Sequence, residues 1–444
     1  MRLRVFILLM LPFISIKSFT QDSTLVKDSL TVEEAIATAL QNSYDIILAR
    51  NDSAVAAIDY AYRDFAFLPR VNGNTTMLLN NNAQNVTLAD GTKRNRNGIK
   101  SSNFNANIGL NWTVFDGFKM FATRAKAEEY VRLGTLLIKA QVNNTVADVI
   151  NNYYNIVRQK QLLKTIEEQM SINEDRYKLA KYRLDIGVGV KPDVLQAQID
   201  LNAQKAARLN QLTLIEQLKQ DLNRLMNVIP DTQYEVSDTI PIQMNLTLGE
   251  IQSNLEATNT ELRVARQNID LAALTVKERK AERFPTVGFT TAYNFTRTEN
   301  NSVVNPTQPL FNQNRGLNYG ITASIPILNG FDTRRQIKQA QLSVNYQQLI
   351  YDNQKSLITT GLFNAFKTFE LQRQSLALEE SNLELVKENL FIARERYRLA
   401  ATTYLELREA QRSLQEAYDR LIRARYNMKV AETEINRLQG AFVR

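Results

Sequence analysis

The 444-residue chain contains no histidine and no cysteine. That removes Ser-His-Asp and Cys-His triads, thiolate chemistry, disulfides and every metal site built on imidazole or thiolate. An enzyme would have to rely on paired carboxylates or a Ser/Lys site. No acidic pair in a globular setting and no glycine-rich phosphate loop is visible, so no catalytic centre, cofactor or metal is expected. The 54 basic and 46 acidic residues lie scattered along helical stretches. They have no aromatic platform beside them, which argues against nucleic acid as a partner. The polar groups that do stand out lie beside two turns. Asp193 follows Pro192, as a helix-start residue whose charge suits the N-terminal dipole would. Glu406 and Glu409 fit a solvated helix face, and Gly187 and Gly189 permit a turn.

The elements that must place these groups are long helices. Only 15 Gly and 9 Pro interrupt the chain, and these are the residues that punctuate helices. The first residues, Met1-Arg2-Leu3-Arg4 followed by an apolar run from Val5 to Ile16, predict a secretory signal peptide over 1–20. No Cys follows it, so no lipoprotein anchor is expected, and no later stretch is long and apolar enough for a spanning helix. The rest is written twice. Leu30-Thr31, Glu34, Ala49-Arg50 and Pro69 recur 216 residues later as Leu246-Thr247, Glu250, Ala265-Arg266 and Pro285. Gly117-Phe118, Arg183 and Ala197-Gln198 recur 213 residues later as Gly330-Phe331, Arg396 and Ala410-Gln411. The expected division is a first repeat over 21–229, a linker over 230–245 and a second repeat over 246–444.

Each repeat predicts a helix, two strands, a very long helix and a helix half as long. In the first, the strands fall at about 70–80 and 104–115, and the helices at 118–184 and 193–227. In the second, the strands fall at about 286–296 and 317–328, and the helices at 331–400 and 404–439. Every seventh residue from Val142 is apolar through Val149, Ile156, Leu163, Met170, Tyr177 and Leu184. The second seam runs through Leu362, Phe369, Leu376, Leu383, Leu390 and Tyr397. Seven-residue spacing of this kind specifies coiled-coil packing.

The strands are unlike those of a soluble coiled-coil protein. Phe104, Ala106, Ile108, Leu110, Trp112 and Val114 alternate with Asn105, Asn107, Gly109, Asn111 and Thr113. The second unit repeats this with Val287, Phe289, Thr291, Tyr293 and Phe295 and, on its other strand, Leu317, Tyr319, Ile321 and Ala323. Strict alternation over 10–12 uncharged residues is the pattern of a membrane β-barrel strand, lipid outside and water inside. Asn-rich loops are expected at 81–103 and 297–316. Four strands cannot close a barrel, since the smallest have about eight, and an open edge in lipid is forbidden. Strands must therefore be pooled between chains.

With these marks in order, the chain resembles the TolC family of bacterial outer-membrane efflux and secretion channels. The resemblance rests on the duplication and on paired motifs. These are Leu68-Pro69 and Phe284-Pro285 before each hairpin, then Val114-Phe115-Asp116-Gly117 and Pro326-Ile327-Leu328-Asn329-Gly330 after it. At the turns, Arg183-Leu184-Asp185-Ile186-Gly187 and Asp193-Val194 answer to Arg396-Tyr397-Arg398-Leu399-Ala400 and Glu406-Leu407.

The resemblance implies a mainly α fold with membrane β: a homotrimer with a twelve-stranded barrel in the outer membrane of a Gram-negative bacterium. A periplasmic α-helical barrel continues it and docks on an adaptor (membrane fusion) protein and an inner-membrane pump of RND, ABC or MFS type. The implied function is a passive duct for small molecules or polypeptides. The turns would then be the periplasmic tips, with Arg183, Gly187, Gly189, Arg396 and Ala400 facing the adaptor. Glu406 and Glu409 would line the constriction and favour cations. Asp193 and Tyr397 match a pair that latches neighbouring tips in the closed state. Two departures bear on that latch: Thr402 stands where the family has an Arg, and Ala400 where it has a tip Gly. The competing reading is a surface-anchored coiled-coil structural or adhesive protein without an open lumen; polar inward faces favour the duct.

Overall fold

The computed structural model describes residues 29–89, 91–244, 246–304, 308–399 and 401–443. The expected signal peptide and Ala400 lie outside the described residues. The first half of the chain runs β1 (Ser29–Leu30), α1 (Val32–Asn42), α2 (Tyr44–Ala61), a 3-10 turn (Arg63–Phe67), β2 (Arg70–Thr87), β3 (Lys93–Asp116), α3 (Lys119–Asp185) and α4 (Lys191–Met226). The second half runs β4 (Glu235–Val236), α5 (Leu248–Ser253), α6 (Leu255–Thr258), α7 (Thr260–Ala281), β5 (Thr286–Asn300), β6 (Phe311–Ser324), α8 (Asp332–Arg398) and α9 (Tyr404–Gln439).

The duplication is carried to the helix ends. α8 starts and stops 213 residues after α3 (332 against 119, 398 against 185), and α9 stands in the same relation to α4. Each long helix has 67 residues, a rod of about 100 Å. No helix among the described residues is long and apolar enough to cross a membrane. Each repeat has its own apolar core, built at equivalent positions. Val149, Ile156, Ile215 and Leu222 in the first answer to Leu362, Phe369, Met428 and Ile435 in the second. Ala35 and Ala39 close the first core, with Thr31 and Glu34 capping α1 reciprocally at 3.1 and 3.2 Å.

The segment between the repeats is packed onto the helices. β4 pairs in parallel with β1. The buried Tyr153 hydroxyl bridges their ends, donating to the Leu30 carbonyl at 2.8 Å and accepting from the Ser237 amide at 3.0 Å.

The membrane-type strands form one antiparallel meander in the order β2-β3-β5-β6. β3 joins the two hairpins, pairing with β5 from Ser101↔Asn300 to Asp116↔Thr286. The first hairpin is longer than expected: pairing continues to Thr87↔Lys93, so most of the 81–103 stretch is strand. Beyond the apolar band the chain has water on both sides, so the alternation that reveals a strand lapses, and Asn is a poor strand former by composition. At the other end β6 stops at Ser324, short of 328, because Pro326 has no amide to donate.

Strand passes to long helix through an unusual pivot that is also duplicated. Gly117 and Phe118 have φ of 71° and 69°, and Gly330 and Phe331 both have φ of 64°. Left-handed backbone is costly for a Phe, so each repeat accepts strain to redirect the chain. The two glycines are not equally replaceable. A Cβ on Gly117 would lie 2.3 Å from the Ala281 carbonyl oxygen, whereas one on Gly330 meets nothing within 4 Å. Both Ala substitutions carry the φ penalty of about 1–2 kcal/mol, and only Gly117→Ala adds a backbone clash. Thermal melts in detergent should therefore rank Gly117→Ala well below Gly330→Ala, and equal melting temperatures would refute the close approach.

Candidate gate at the helical tips

At the first tip, α3 ends in two reversed bonds: the Arg183 carbonyl accepts from the amides of Val188 and Gly189 at 3.0 and 2.9 Å. This is a Schellman-like termination. Gly187 supplies the positive φ of 78°. Gly189 supplies space, since a Cβ there would sit 2.8 Å from the Leu184 amide nitrogen. Pro192 then opens α4 with Asp193 in its first turn. Among the described residues, the Asp193 side chain makes no hydrogen bond or ion pair within the protomer.

The second tip is tied by side chains instead. Thr403 caps α9, accepting from the Glu406 amide at 3.4 Å. The Glu406 carboxylate accepts from the Thr402 hydroxyl and faces Arg396 at 3.8 Å. Arg396 also donates to the Ala401 carbonyl at 3.4 Å. Glu406 is therefore held against its own turn, and Thr402 supplies one of the bonds that hold it. Glu409 is exposed; it has no ion pair within the protomer among the described residues. Leu407, Ala410 and Gln411 are buried on the seam of the same helix, so both acids lie off the packed face.

The expected pairing of Asp193 with Tyr397 is not made inside one protomer. Tyr397 instead receives Arg183, which donates to its hydroxyl at 3.4 Å and lays its guanidinium 5.6 Å from the ring centre. This contact links the first hairpin (α3 and α4) to the second (α8 and α9). A cleft of about 440 Å³ runs above it, lined by Ile172, Leu179, Leu390 and Leu407.

A second link between the hairpins lies at the head of that cleft. Arg176 on α3 pairs with Asp200 on α4, their side chains only 8% and 14% exposed. Gln196 donates to the other Asp200 oxygen at 2.9 Å. From the second hairpin, Arg408 reaches Asp200 at 3.5 Å, and Gln411 accepts from Arg176 at 3.5 Å. Buried charge persists only where it is paired and hydrogen-bonded, and here the pairing spans three helices. Three turns higher on α9, burial pushes the Asp419 carboxyl above its ordinary range, opposed by Arg423.

Sequence reasoning passed over this knot, although the duplication marks it. At the 213-residue offset, Arg176 and Asp200 answer to Asn389 and Ser413. Charges present in one copy alone, on helices that otherwise match end for end, are a legible signal.

At the other end of the molecule the sheet has two distinct faces. Val71, Ile108, Leu110, Tyr293, Leu317 and Tyr319 share one. Asn72, Asn74, Asn107, Asn111, Thr290 and Asn318 share the other, with Asn74 donating to Asn107 at 3.0 Å.

A family model described as outer membrane efflux protein matches residues 35–229 and 251–441. Outer membrane efflux protein BepC of Brucella suis biovar 1 (strain 1330) is 20% identical over 324 residues, covering 73% of this chain and 69% of that protein. Among solved structures, the outer-membrane channel OprN superposes with a TM-score of 0.77 at 17% identity, over 92% of this chain and 89% of that one. The CmeC outer membrane channel of Campylobacter jejuni gives 0.78 at 15% identity, over 93% and 86%. At such identities the two structures speak for the fold, whereas the family model spans both repeats. The chain belongs to the outer membrane efflux protein family.

Proposed function

We propose that three chains pool their strands into a twelve-stranded barrel and their helices into a periplasmic tunnel. The assembly is a passive export duct fed by an adaptor protein and an inner-membrane pump. Outer-membrane efflux is the family's role. One observation supports the water-filled lumen: four strands present a face of Asn, Thr, Ser and Gly, charged only at its helical edge by Arg70 and Asp116, opposite an apolar one. A mere anchor would have no use for a continuous polar face. Closure by pooling follows from the open edges of β2 and β6, which cannot stand in lipid.

In this reading the tips are the gate. Glu406 and Glu409, three copies each, line the constriction. Arg183, Gly187, Gly189, Arg396 and Ala400 present the surface that meets the adaptor. Asp193, with no partner in its own protomer among the described residues, is offered to the neighbouring tip, and Tyr397 acts through Arg183. The test is single-channel recording of the detergent-extracted oligomer in a planar bilayer. Native channels should be cation-selective, and Glu406→Gln with Glu409→Gln should reduce the cation-to-anion permeability ratio severalfold. Selectivity indifferent to both residues moves the constriction elsewhere. A folded trimer that inserts without current favours the anchor.

A further inference from the structure

The apolar face of the sheet ends abruptly, and it ends in bases. Following the register upward from the helical end, this face carries Val287, Phe289, Thr291, Tyr293 and Phe295 on β5. Ala323, Ile321, Tyr319 and Leu317 lie beside them on β6. Phe115, Trp112, Leu110, Ile108 and Ala106 lie beside them on β3. No charge interrupts these positions. Val287 to Phe295 spans eight steps of about 3.3 Å, roughly 26 Å along the strand, close to the ~25 Å apolar band of outer-membrane barrels.

The next positions on the same face change character at once. Arg315 stands opposite Phe295, and Arg297 opposite Phe104 and Gln313. Glu299 stands opposite Ser102 and Phe311, and Lys100 opposite Asn81. Arg297 is ion-paired with Glu299 and stacks its guanidinium 5.6 Å from the Phe311 ring centre. Three cations and one anion leave an excess of two positive charges per chain over these four rows.

The opposite face at these heights decides what the charges are for. It carries Asn103, Asn105, Thr296, Thr298, Asn312 and Asn314, none of them charged. Bases placed only for solubility would favour the face that looks into water. They stand instead on the face continuous with the lipid-facing one, Arg315 and Arg297 at the rim of the band and Lys100 above it. The helices leave the sheet at its other end and lie in the periplasm, so this rim is at the outer leaflet.

We propose that Arg297, Arg315 and Lys100 form a girdle that binds the phosphorylated headgroups of outer-leaflet lipids. The guanidinium groups match phosphate oxygens bidentately, and Lys100 adds a point charge two rows above Arg297. The acyl chains then lie along Phe104 and Phe295, level with the guanidinium groups, and along Tyr293 and Leu317 below. The girdle pins the height of the barrel in the membrane and concentrates a specific lipid around it, which the export function does not require.

The test titrates the full-length trimer in detergent with lipid A bearing two phosphates, with the same lipid dephosphorylated, and with inorganic phosphate. Binding is read by native mass spectrometry, and stabilisation by the rise in melting temperature. The native trimer should prefer the phosphorylated lipid, and inorganic phosphate alone should not stabilise it. The combined variant Lys100→Gln, Arg297→Gln, Arg315→Gln should lose about a hundredfold in affinity, at roughly fivefold per base. Equal binding of the phosphorylated and dephosphorylated lipids by the native trimer would overturn the proposal without any variant. So would a combined variant that binds the phosphorylated lipid as tightly as the native protein. Inorganic phosphate as effective as the lipid would reduce the girdle to a free-anion site. Should the combined variant not assemble, Arg315→Gln alone should show a partial loss, and no loss would count against the girdle.

Discussion

Asp200→Asn is expected to raise the open-to-closed ratio of the channel about tenfold. Asp200 is a carboxylate that both hairpins hold, through Arg176 on its own side and Arg408 at 3.5 Å on the other. Moving the second hairpin away from the first must break the Arg408 contact and the 3.5 Å bond from Arg176 to Gln411. Arg408 is about half exposed, 48% by its side chain, so its ion pair is discounted for solvent. The bond from Arg176 to Gln411 survives the substitution, so what is lost is about 0.5 kcal/mol per protomer. In the proposed trimer, three protomers moving together make about 1.5 kcal/mol, and each 1.4 kcal/mol is a tenfold change.

The same substitution leaves Arg176 buried with its counter-charge removed, which destabilises the fold as well. Arg408→Gln separates the two effects, because it cuts the same contact between hairpins and leaves Arg176 and Asp200 together. Both variants should show raised open probability in planar bilayers, and Arg408→Gln should do so with little change in melting temperature. If Asp200→Asn melts earlier yet stays as closed as the native channel, the knot holds the fold and not the gate.

What the sequence shows of this molecule follows from periodicity, and what it hides follows from the loss of periodicity. Helix bounds were legible because duplicated copies check one another: Gly117-Phe118 and Gly330-Phe331 fix where α3 and α8 begin, to within a residue or two. Membrane strands were legible while lipid on one side and water on the other enforced alternation. Past Asn80 that contrast ends, and seven further residues of β2 went unseen. The tips were legible as turns through their glycines, but side-chain partners are set by rotation about helix axes that no spacing rule resolves. Tyr397, matched by resemblance to a latch with Asp193 between neighbouring tips, also takes Arg183 within its own protomer. The Arg176–Asp200 pair joins residues 24 apart across a turn, and only its absence from the second repeat betrays it.

Ile108→Lys is expected to abolish assembly, while Asn107→Lys, its neighbour in the chain, is tolerated. Successive strand residues point to opposite faces, so the two substitutions add the same charge on opposite sides of one wall. Ile108 sits near the middle of the apolar band, beside Tyr293 across the strand pair, where a Lys facing lipid costs about 2–4 kcal/mol. In the proposed trimer the cost is paid three times, about 6–12 kcal/mol, comparable with the whole stability of a typical domain. Asn107 lies in the row of Asn74 and Asn294 on the polar face, where a Lys finds water. There it should leave trimer yield and melting temperature near native and shift ion selectivity away from cations. The check is heat-modifiable trimer on semi-native gels from isolated outer membranes, followed by reversal potentials for whichever variant assembles. Assembly of Ile108→Lys together with failure of Asn107→Lys would mean that the faces are assigned the wrong way round. The lumen, the lipid girdle and the pooled barrel would then all fall with that assignment, because each rests on which side of this sheet is wet.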